Sequence, residues 1–238
     1  YEERTETRDL PFFLGLLDHL AARGCPVPRT IHDRDGASFR LHEGKALALI
    51  EFLPGVSVSE PTPAQARAVG TALAQVHLAA ADFAQSRENG MALATWKSLA
   101  RACSEEGLAS IHPELGRLVA HEMDVLERKW PTGLPRSVIH ADLFPDNVLM
   151  RGDEVAGLID FYFACNDISA YDVAVTHAAW CFDATGRRFD PAISRALLRG
   201  YESVRPLSEA ERAALPLLAR GAAMRFTMTR AYDWMNTP

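Results

Sequence analysis

The feature that most constrains this chain is a polar loop in which His140, Asp142 and Asn147 stand close together and Asp160 follows after a further apolar segment. Three short segments with apolar and β-branched residues predict strands around these positions, at 137–139, 148–150 and 155–159. The polar residues 151–154 predict a tight turn between the last two strands. Because a hairpin returns the chain to its starting point, Asn147 and Asp160 are expected at the same end of a small sheet.

The spacing of these residues indicates a chemistry. His140, Asp142 and Asn147 fit the pattern H-x-D-x-x-x-x-N, and Asp160 precedes a Phe as the metal-binding Asp does in protein kinases. A carboxylate within hydrogen-bond reach of a hydroxyl can take its proton, which predicts Asp142 as the catalytic base. Amide and carboxylate oxygens suit Mg²⁺, which predicts Asn147 and Asp160 as metal ligands and leaves His140 to brace the loop. The alternative is an ordinary Asx turn around Pro145, but the agreement of every offset favours phosphoryl transfer.

Composition excludes several other classes of protein. The 238 residues are 48% hydrophobic and 24% charged, which is typical of a globular chain rather than a disordered one. A net charge of −6 gives no basic excess for a nucleic-acid partner, and no apolar run approaches the ~20 residues of a membrane span. Four separated cysteines without a C-x-x-C pair, and an N-terminus without an apolar signal segment, favour a cytoplasmic protein.

The remaining pattern predicts a small α/β start and a larger helical body. A first helix is expected over 7–23, capped by Asp9 and ended by Gly24. Strands are expected over 38–42 and 46–53, joined by a turn at 43–45. Residues 62–65 have the form of a capping box that starts a helix reaching about residue 80. Further helices are expected at 95–104 and 113–129, and in about three segments beyond residue 170.

Specific residues of the loop resemble the motifs of one superfamily of kinases. Ala141 stands where protein kinases have Arg, and Asp160 is followed by Phe161 without a Gly, which resembles the aminoglycoside phosphotransferase and choline kinase superfamily. Within it, the run Tyr-Phe-Ala-Cys-Asn-Asp at 162–167 is similar to the bacterial ATP-dependent homoserine kinases. Segments at 9–13, 171–174 and 220–226 extend the resemblance over essentially the whole chain. It implies ATP and Mg²⁺ as cofactors and a small-molecule substrate, with homoserine, a precursor of threonine, as the first choice.

The resemblance also implies a fold and further site residues. The fold is α+β and protein-kinase-like, with residues 1–54 as a remnant of the small β lobe and 55–238 as the large helical lobe. Glu51 and Leu53 resemble hinge residues whose backbone meets the adenine of the nucleotide, and Asp172 resembles an Asp that braces the catalytic loop. The sequence has no glycine-rich phosphate loop and no strand lysine, so we expect it to lack the first part of the small lobe.

Several interpretations stay open at this point. His77 is expected to be a core histidine, and the tryptophans Trp96, Trp180 and Trp234 are expected to pack in the core or a groove. Arg225 and Arg230 can pair with a phosphate or a carboxylate, but solvated positions on a helix are the simpler expectation, and no substrate-binding residue is assigned.

Two functional alternatives also remain. One is a kinase for another small acceptor such as choline, ethanolamine, hydroxylysine or an aminoglycoside. The other is a binding module that keeps the large lobe without catalysis. The presence of the base and both metal ligands together, at Asp142, Asn147 and Asp160, favours an enzyme.

Overall fold

The computed structural model describes residues 7–183 and 185–236, which form short antiparallel strand pairs and a mostly helical body. The described helices are α1 (Leu10–Ala22), α2 (Pro63–Ala79), α3 (Leu93–Cys103), α4 (Glu105–Ile111), α5 (Leu115–Lys129), α6 (Ser169–Trp180), α7 (Pro191–Glu202) and α8 (Glu209–Asn236). The described strands are β1 (Thr30–Ile31), β2 (Arg40–His42), β3 (Lys45–Leu47), β4 (Leu49–Ile50), β5 (Arg136–Ile139), β6 (Val148–Arg151), β7 (Glu154–Leu158) and β8 (Cys165–Ile168). Within the described ranges, no helix is both long and apolar enough to cross a membrane.

The first helix forms where the sequence predicts it, but with a different start. A 3₁₀ turn at Thr7–Asp9 precedes α1, and the left-handed Gly24 (φ +77°) follows its end. The predicted cap at Asp9 is wrong, because its carboxylate makes no capping hydrogen bond. It accepts instead from Arg87 Nε at 3.0 Å, so the ion pair takes the place of the cap.

The predicted second strand, 46–53, divides into two short strands with different partners. β3 pairs with β2 across the predicted turn, with Leu41 opposite Ala46. β4 pairs with β1, with Thr30 opposite Ile50, and β1 was not predicted. A strand of two residues carries no alternating pattern, so its pairing depends on contacts that local sequence does not encode.

The helical body forms around α2, α6, α7 and α8. The predicted capping box starts α2, with Thr62 Oγ1 accepting from the Gln65 amide at 3.2 Å and Gln65 Oε1 accepting from the Thr62 amide at 3.0 Å. The backbones of α2 and α7 approach closely, because Gly70 and Gly200 leave no Cβ between them. Helix α4, which was not predicted, is capped by Ser104, whose hydroxyl accepts from the Gly107 amide at 3.1 Å.

Two strand pairs flank the polar loop. β5, which ends just before the loop, pairs antiparallel with β8, a strand that the sequence did not predict. β6, which follows the loop, forms the predicted hairpin with β7. Val56 bridges to Met150 of β6, and a Cβ on Gly157 of β7 would overlap the side chain of Leu53. The loop is therefore fixed at both ends, and the segment 53–56 lies against the hairpin.

Candidate active site

The polar loop opens onto a cleft of about 680 Å³ between the β6–β7 hairpin and α8. Asp142, Asn147 and Asp160 all line this cleft, so the structure brings together the three residues that the sequence selects for chemistry. The opposite wall comes from the last turns of α8, including Arg225 and Arg230. No group of three or more His, Cys, Asp or Glu side chains suited to a metal occurs in the described residues. A metal here would therefore depend on few protein ligands.

Asn147 and Asp160 lie close together at the open end of the β6–β7 hairpin, opposite its turn. The Ile159 amide donates to the Asn147 carbonyl oxygen at 3.0 Å, which joins the two strand ends. Asn147 Nδ2 donates to the Asp142 carbonyl oxygen at 2.8 Å, and because a carbonyl only accepts, Oδ1 is the end of the amide that remains available. Asp160 adopts a left-handed conformation, with φ +64°, that Asp tolerates better than most residues. An amide oxygen and an exposed carboxylate fit a hard cation such as Mg²⁺.

The Asp142 carboxylate is partly buried, with 21% of its side chain exposed. Burial raises the pKa of this carboxyl, against the opposing charges of Arg225 and His140, and the neighbouring carboxylate of Asp160 acts in the same direction as burial. Arg225 Nη2 lies 3.5 Å from Asp142 Oδ1 and forms an ion pair with it. The carboxylate is therefore a stronger base than an exposed Asp, although Arg225 keeps part of its charge compensated.

The buried carboxylate of Asp172 holds the loop through its backbone amides. Its Oδ2 accepts from the His140 amide at 2.7 Å and its Oδ1 from the Ala141 amide at 2.8 Å. The fully buried carboxylate also meets His77 Nε2 at 3.0 Å, and His77 Nδ1 lies 2.8 Å from the Tyr201 hydroxyl. Burial alone would raise the pKa of Asp172, yet the hydrogen bonds from His77 and the His140 amide hold it below its usual value. His77 is thus a satisfied core histidine that reaches the loop only through Asp172.

Ala141 shows how tightly the loop is held. It has φ +64°, a left-handed conformation that Ala rarely adopts. Its amide is bonded to Asp172, and its carbonyl oxygen accepts from the guanidinium of Arg225. Because both neighbouring peptide groups are bonded, the loop keeps this conformation and directs Asp142 toward the cleft.

His140 joins the loop to the segment before Asp160. The Asp142 amide donates to His140 Nδ1 at 3.2 Å, so Nε2 carries the proton of the neutral ring and donates to the Ile159 carbonyl oxygen at 2.9 Å. The ring also packs against Phe161, with centroids 4.5 Å apart. Both ring nitrogens are therefore bonded within the protein.

We expect Asp172→Asn to lower the free energy of unfolding by about 3 kcal/mol, since hydrogen bonds to charged groups contribute about 1.5–3 kcal/mol and the new amide group would face an N–H. Denaturant unfolding measures this. Asp153→Asn, at an exposed position in the β6–β7 turn, is the matched control and should change stability little. A loss below about 1 kcal/mol for Asp172→Asn would contradict the account of the loop.

The predicted nucleotide-contact residues lie away from the cleft wall. Glu51 and Leu53 are not among the residues that line the cleft. The Glu51 amide donates to the Arg29 carbonyl oxygen at 2.9 Å, and its carboxylate accepts from the Arg29 amide at 3.1 Å. Leu53 packs on Gly157 of β7. The structure thus brings segment 51–53 to the hairpin that carries Asn147.

The expectation of a solvated Arg225 is wrong. Arg225 is 3% exposed, lies over the rings of Phe163 and Phe226, and bonds the loop. The sequence held a signal for this burial, because Gly221, Arg225 and Met228 follow one another at helical steps on the buried face of α8. Arg230 is exposed as expected.

The tryptophans divide between core and surface. Trp96 and Trp180 are buried as predicted, and Trp180 Nε1 donates to the Leu143 carbonyl oxygen at 2.9 Å. Trp234 is 79% exposed, so the expectation that it packs in the core or a groove is wrong. It lies near the end of α8, on the side that no described element covers.

Known proteins resemble this chain in sequence and in fold. The model of the phosphotransferase enzyme family matches residues 1–207. Homoserine kinases of Xanthobacter autotrophicus and Rhizobium johnstonii are 51% and 49% identical over 238 residues, which is all of this chain and 74% of each relative. An amicoumacin kinase in complex with AMP-PNP, Ca²⁺ and Ami superposes with a TM-score of 0.74 at 15% identity, over 96% of this chain and 71% of that one. The structural likeness confirms the predicted kinase-like fold.

Proposed function

The chain belongs to the phosphotransferase enzyme family, and from this premise we propose that it transfers the terminal phosphoryl group of ATP to the hydroxyl of homoserine. The products are ADP and O-phosphohomoserine. The observation that carries the proposal is the convergence of Asp142, Asn147 and Asp160 on one cleft, in a chain about half identical to homoserine kinases. The cleft supports the chemistry, and the relatives support the identity of the acceptor.

In this proposal Asp142 is the catalytic base. Its carboxylate orients the acceptor hydroxyl and takes its proton as the hydroxyl oxygen bonds to the γ-phosphorus. The bond from that phosphorus to the bridging oxygen of ADP breaks in the same transfer. The rigid loop fixed by Asp172, and the raised pKa of the buried Asp142 carboxyl, support this role.

Asn147 Oδ1 and the Asp160 carboxylate would hold Mg²⁺ in the same proposal. The metal supplies neutralisation of the phosphate charge when it is bound. The metal site is supported by its two oxygen donors, a neutral amide oxygen and a carboxylate at the open end of one hairpin. His140 joins the loop to the segment before Asp160 through its bond to the Ile159 carbonyl oxygen.

We place the nucleotide base against the segment that carries Glu51 and Leu53, with the boundary between the small and large lobes at residues 54–55. Gly55 has φ +145°, and the chain turns there onto β6. The backbone of this segment is therefore adjacent to the hairpin that would hold the phosphates. The four cysteines are unpaired and buried, which supports a cytoplasmic enzyme.

The proposal is tested by ADP formation from ATP and Mg²⁺ with the full-length protein and a panel of acceptors. The panel holds L-homoserine, choline, ethanolamine, hydroxylysine and an aminoglycoside at equal concentrations. We expect L-homoserine to give the highest kcat/KM. A higher value for another acceptor would overturn the substrate assignment, and the absence of acceleration by any of them would favour a non-catalytic module.

A further inference from the structure

The last turns of α8 carry opposite charges into the cleft. Arg230 and Asp233 both line it, three residues apart on the same helix. Residues at this spacing are neighbours on a helix surface, with Cβ atoms about 5–6 Å apart. In the described part of the chain, no ion pair within 4.0 Å joins either side chain to another residue. A cation and an anion thus line the same cleft, and among the described residues neither has an ion-pair partner.

The two arginines of the cleft differ in what they already bind. Arg225 is buried and its guanidinium is used by the Ala141 carbonyl oxygen and by Asp142. Arg230 is exposed at the cleft, and its Cζ lies 5.5 Å from the ring centroid of Phe226 and 5.8 Å from that of Phe144. Stacking on aromatic faces orients a guanidinium and leaves its N–H edge free for a carboxylate. Arg230 is therefore the arginine available to a ligand.

The aromatic floor connects this charged pair to the base. Phe144 and Phe226 pack edge to face, with centroids 4.9 Å apart, and Phe144 stands two residues after Asp142 in the loop. A short aliphatic chain lying on these rings would have one end near the charged pair and the other near the base. This arrangement matches a small amino acid with a side-chain hydroxyl.

We propose that Arg230 binds the α-carboxylate and Asp233 the α-ammonium group of the acceptor, so that α8 selects a zwitterionic amino acid over a simple amino alcohol. The inference rests on the proposed function, because it assigns the residues that recognise the acceptor in that reaction. An Arg–carboxylate pair is bidentate and directional, which fixes the acceptor as well as attracting it.

Two truncated acceptors separate the two contacts. 3-Aminopropan-1-ol is homoserine without its carboxylate, and 4-hydroxybutanoate is homoserine without its amine. Arg230→Met should lower kcat/KM by about 10- to 100-fold for L-homoserine and for 4-hydroxybutanoate, mainly through KM, and leave 3-aminopropan-1-ol unchanged. Asp233→Asn should show the opposite selectivity, with a loss for L-homoserine and 3-aminopropan-1-ol alone. Where turnover of a truncated acceptor is too slow, its competitive inhibition of homoserine phosphorylation gives the same comparison.

Arg220→Met is the matched control, because Arg220 lies on α8 outside the cleft and binds Glu122 through bonds of 2.7 and 2.9 Å. It should leave all three acceptors unchanged. Equal losses for every acceptor in Arg230→Met, or a raised KM for ATP alone, would overturn the inference while leaving homoserine phosphorylation intact. Failure of the wild type to use L-homoserine would instead overturn the proposed function, so the two failures are distinct.

Discussion

Replacing Asp142 by Asn is expected to lower kcat by about 10²–10⁴-fold with little change in nucleotide binding, since general-base catalysis contributes about that factor. Asn keeps the shape of the side chain but cannot take the hydroxyl proton. The loop should keep its conformation, because Asp172 and Arg225 hold it through the backbone of His140 and Ala141. Steady-state kinetics with the full-length enzyme, together with ATP titration, measure both effects.

Thermal unfolding of the same variant tests whether the loss of turnover comes from the chemistry and not from a loss of stability. Burial raises the pKa of Asp142 above its value in the unfolded chain, so the ionised carboxylate lowers stability at neutral pH. Asp142→Asn should therefore be as stable as the wild type, or slightly more so, at pH 7. Any gain should fade as the pH drops through the raised folded pKa toward the unfolded value. Asp153→Asn is the activity control, and near-normal turnover by Asp142→Asn would refute the base assignment.

Replacing Asp160 by Asn should lower activity by about 10²-fold or more, since a bound metal contributes several kcal/mol to phosphoryl transfer. Asn tolerates the left-handed conformation at this position, so the substitution removes charge without adding backbone strain. Without ligand, stability should hold or improve slightly, because Asp160 and Asp142 repel each other. The variant should become less stable than the wild type only when ATP and metal are present.

Thermal unfolding with and without Mg²⁺ and ATP separates these effects. The wild type should gain about 2.7 kcal/mol at a ligand concentration 100 times Kd, and Asp160→Asn should gain much less. Asp153→Asn removes a carboxylate from the opposite end of the same hairpin and should behave as the wild type. Equal ligand-induced shifts in Asp160→Asn and the wild type would show that Asp160 does not hold the metal.

The part of the site that the sequence predicts well is the part encoded locally. The offsets from His140 to Asp160 fix a loop and a hairpin, so the convergence of Asn147 and Asp160 follows from one turn at 151–154. The capping box at Thr62 and the glycine after α1 are equally local signals, and the structure has both. Such features need only neighbouring residues to form.

The parts that local sequence did not predict depend on distant contacts. β8 pairs with β5 about 30 residues away, and its polar residues Asn166 and Asp167 hide the usual strand pattern. The second wall of the cleft comes from α8, where Arg225 reaches the loop across more than 80 residues. The strand partners, the contact between Arg225 and the loop, and the position of Arg230 and Asp233 in the cleft therefore required the three-dimensional structure.

The most direct measurement of the central claim is identification of the product by mass spectrometry. Full-length wild type and Asp142→Asn are incubated with ATP, Mg²⁺ and L-homoserine, and ADP and O-phosphohomoserine are quantified together. We predict one phosphohomoserine for each ATP consumed by the wild type, and almost none from Asp142→Asn in the same time. ATP consumption without phosphohomoserine, or equal product from both proteins, would contradict the account.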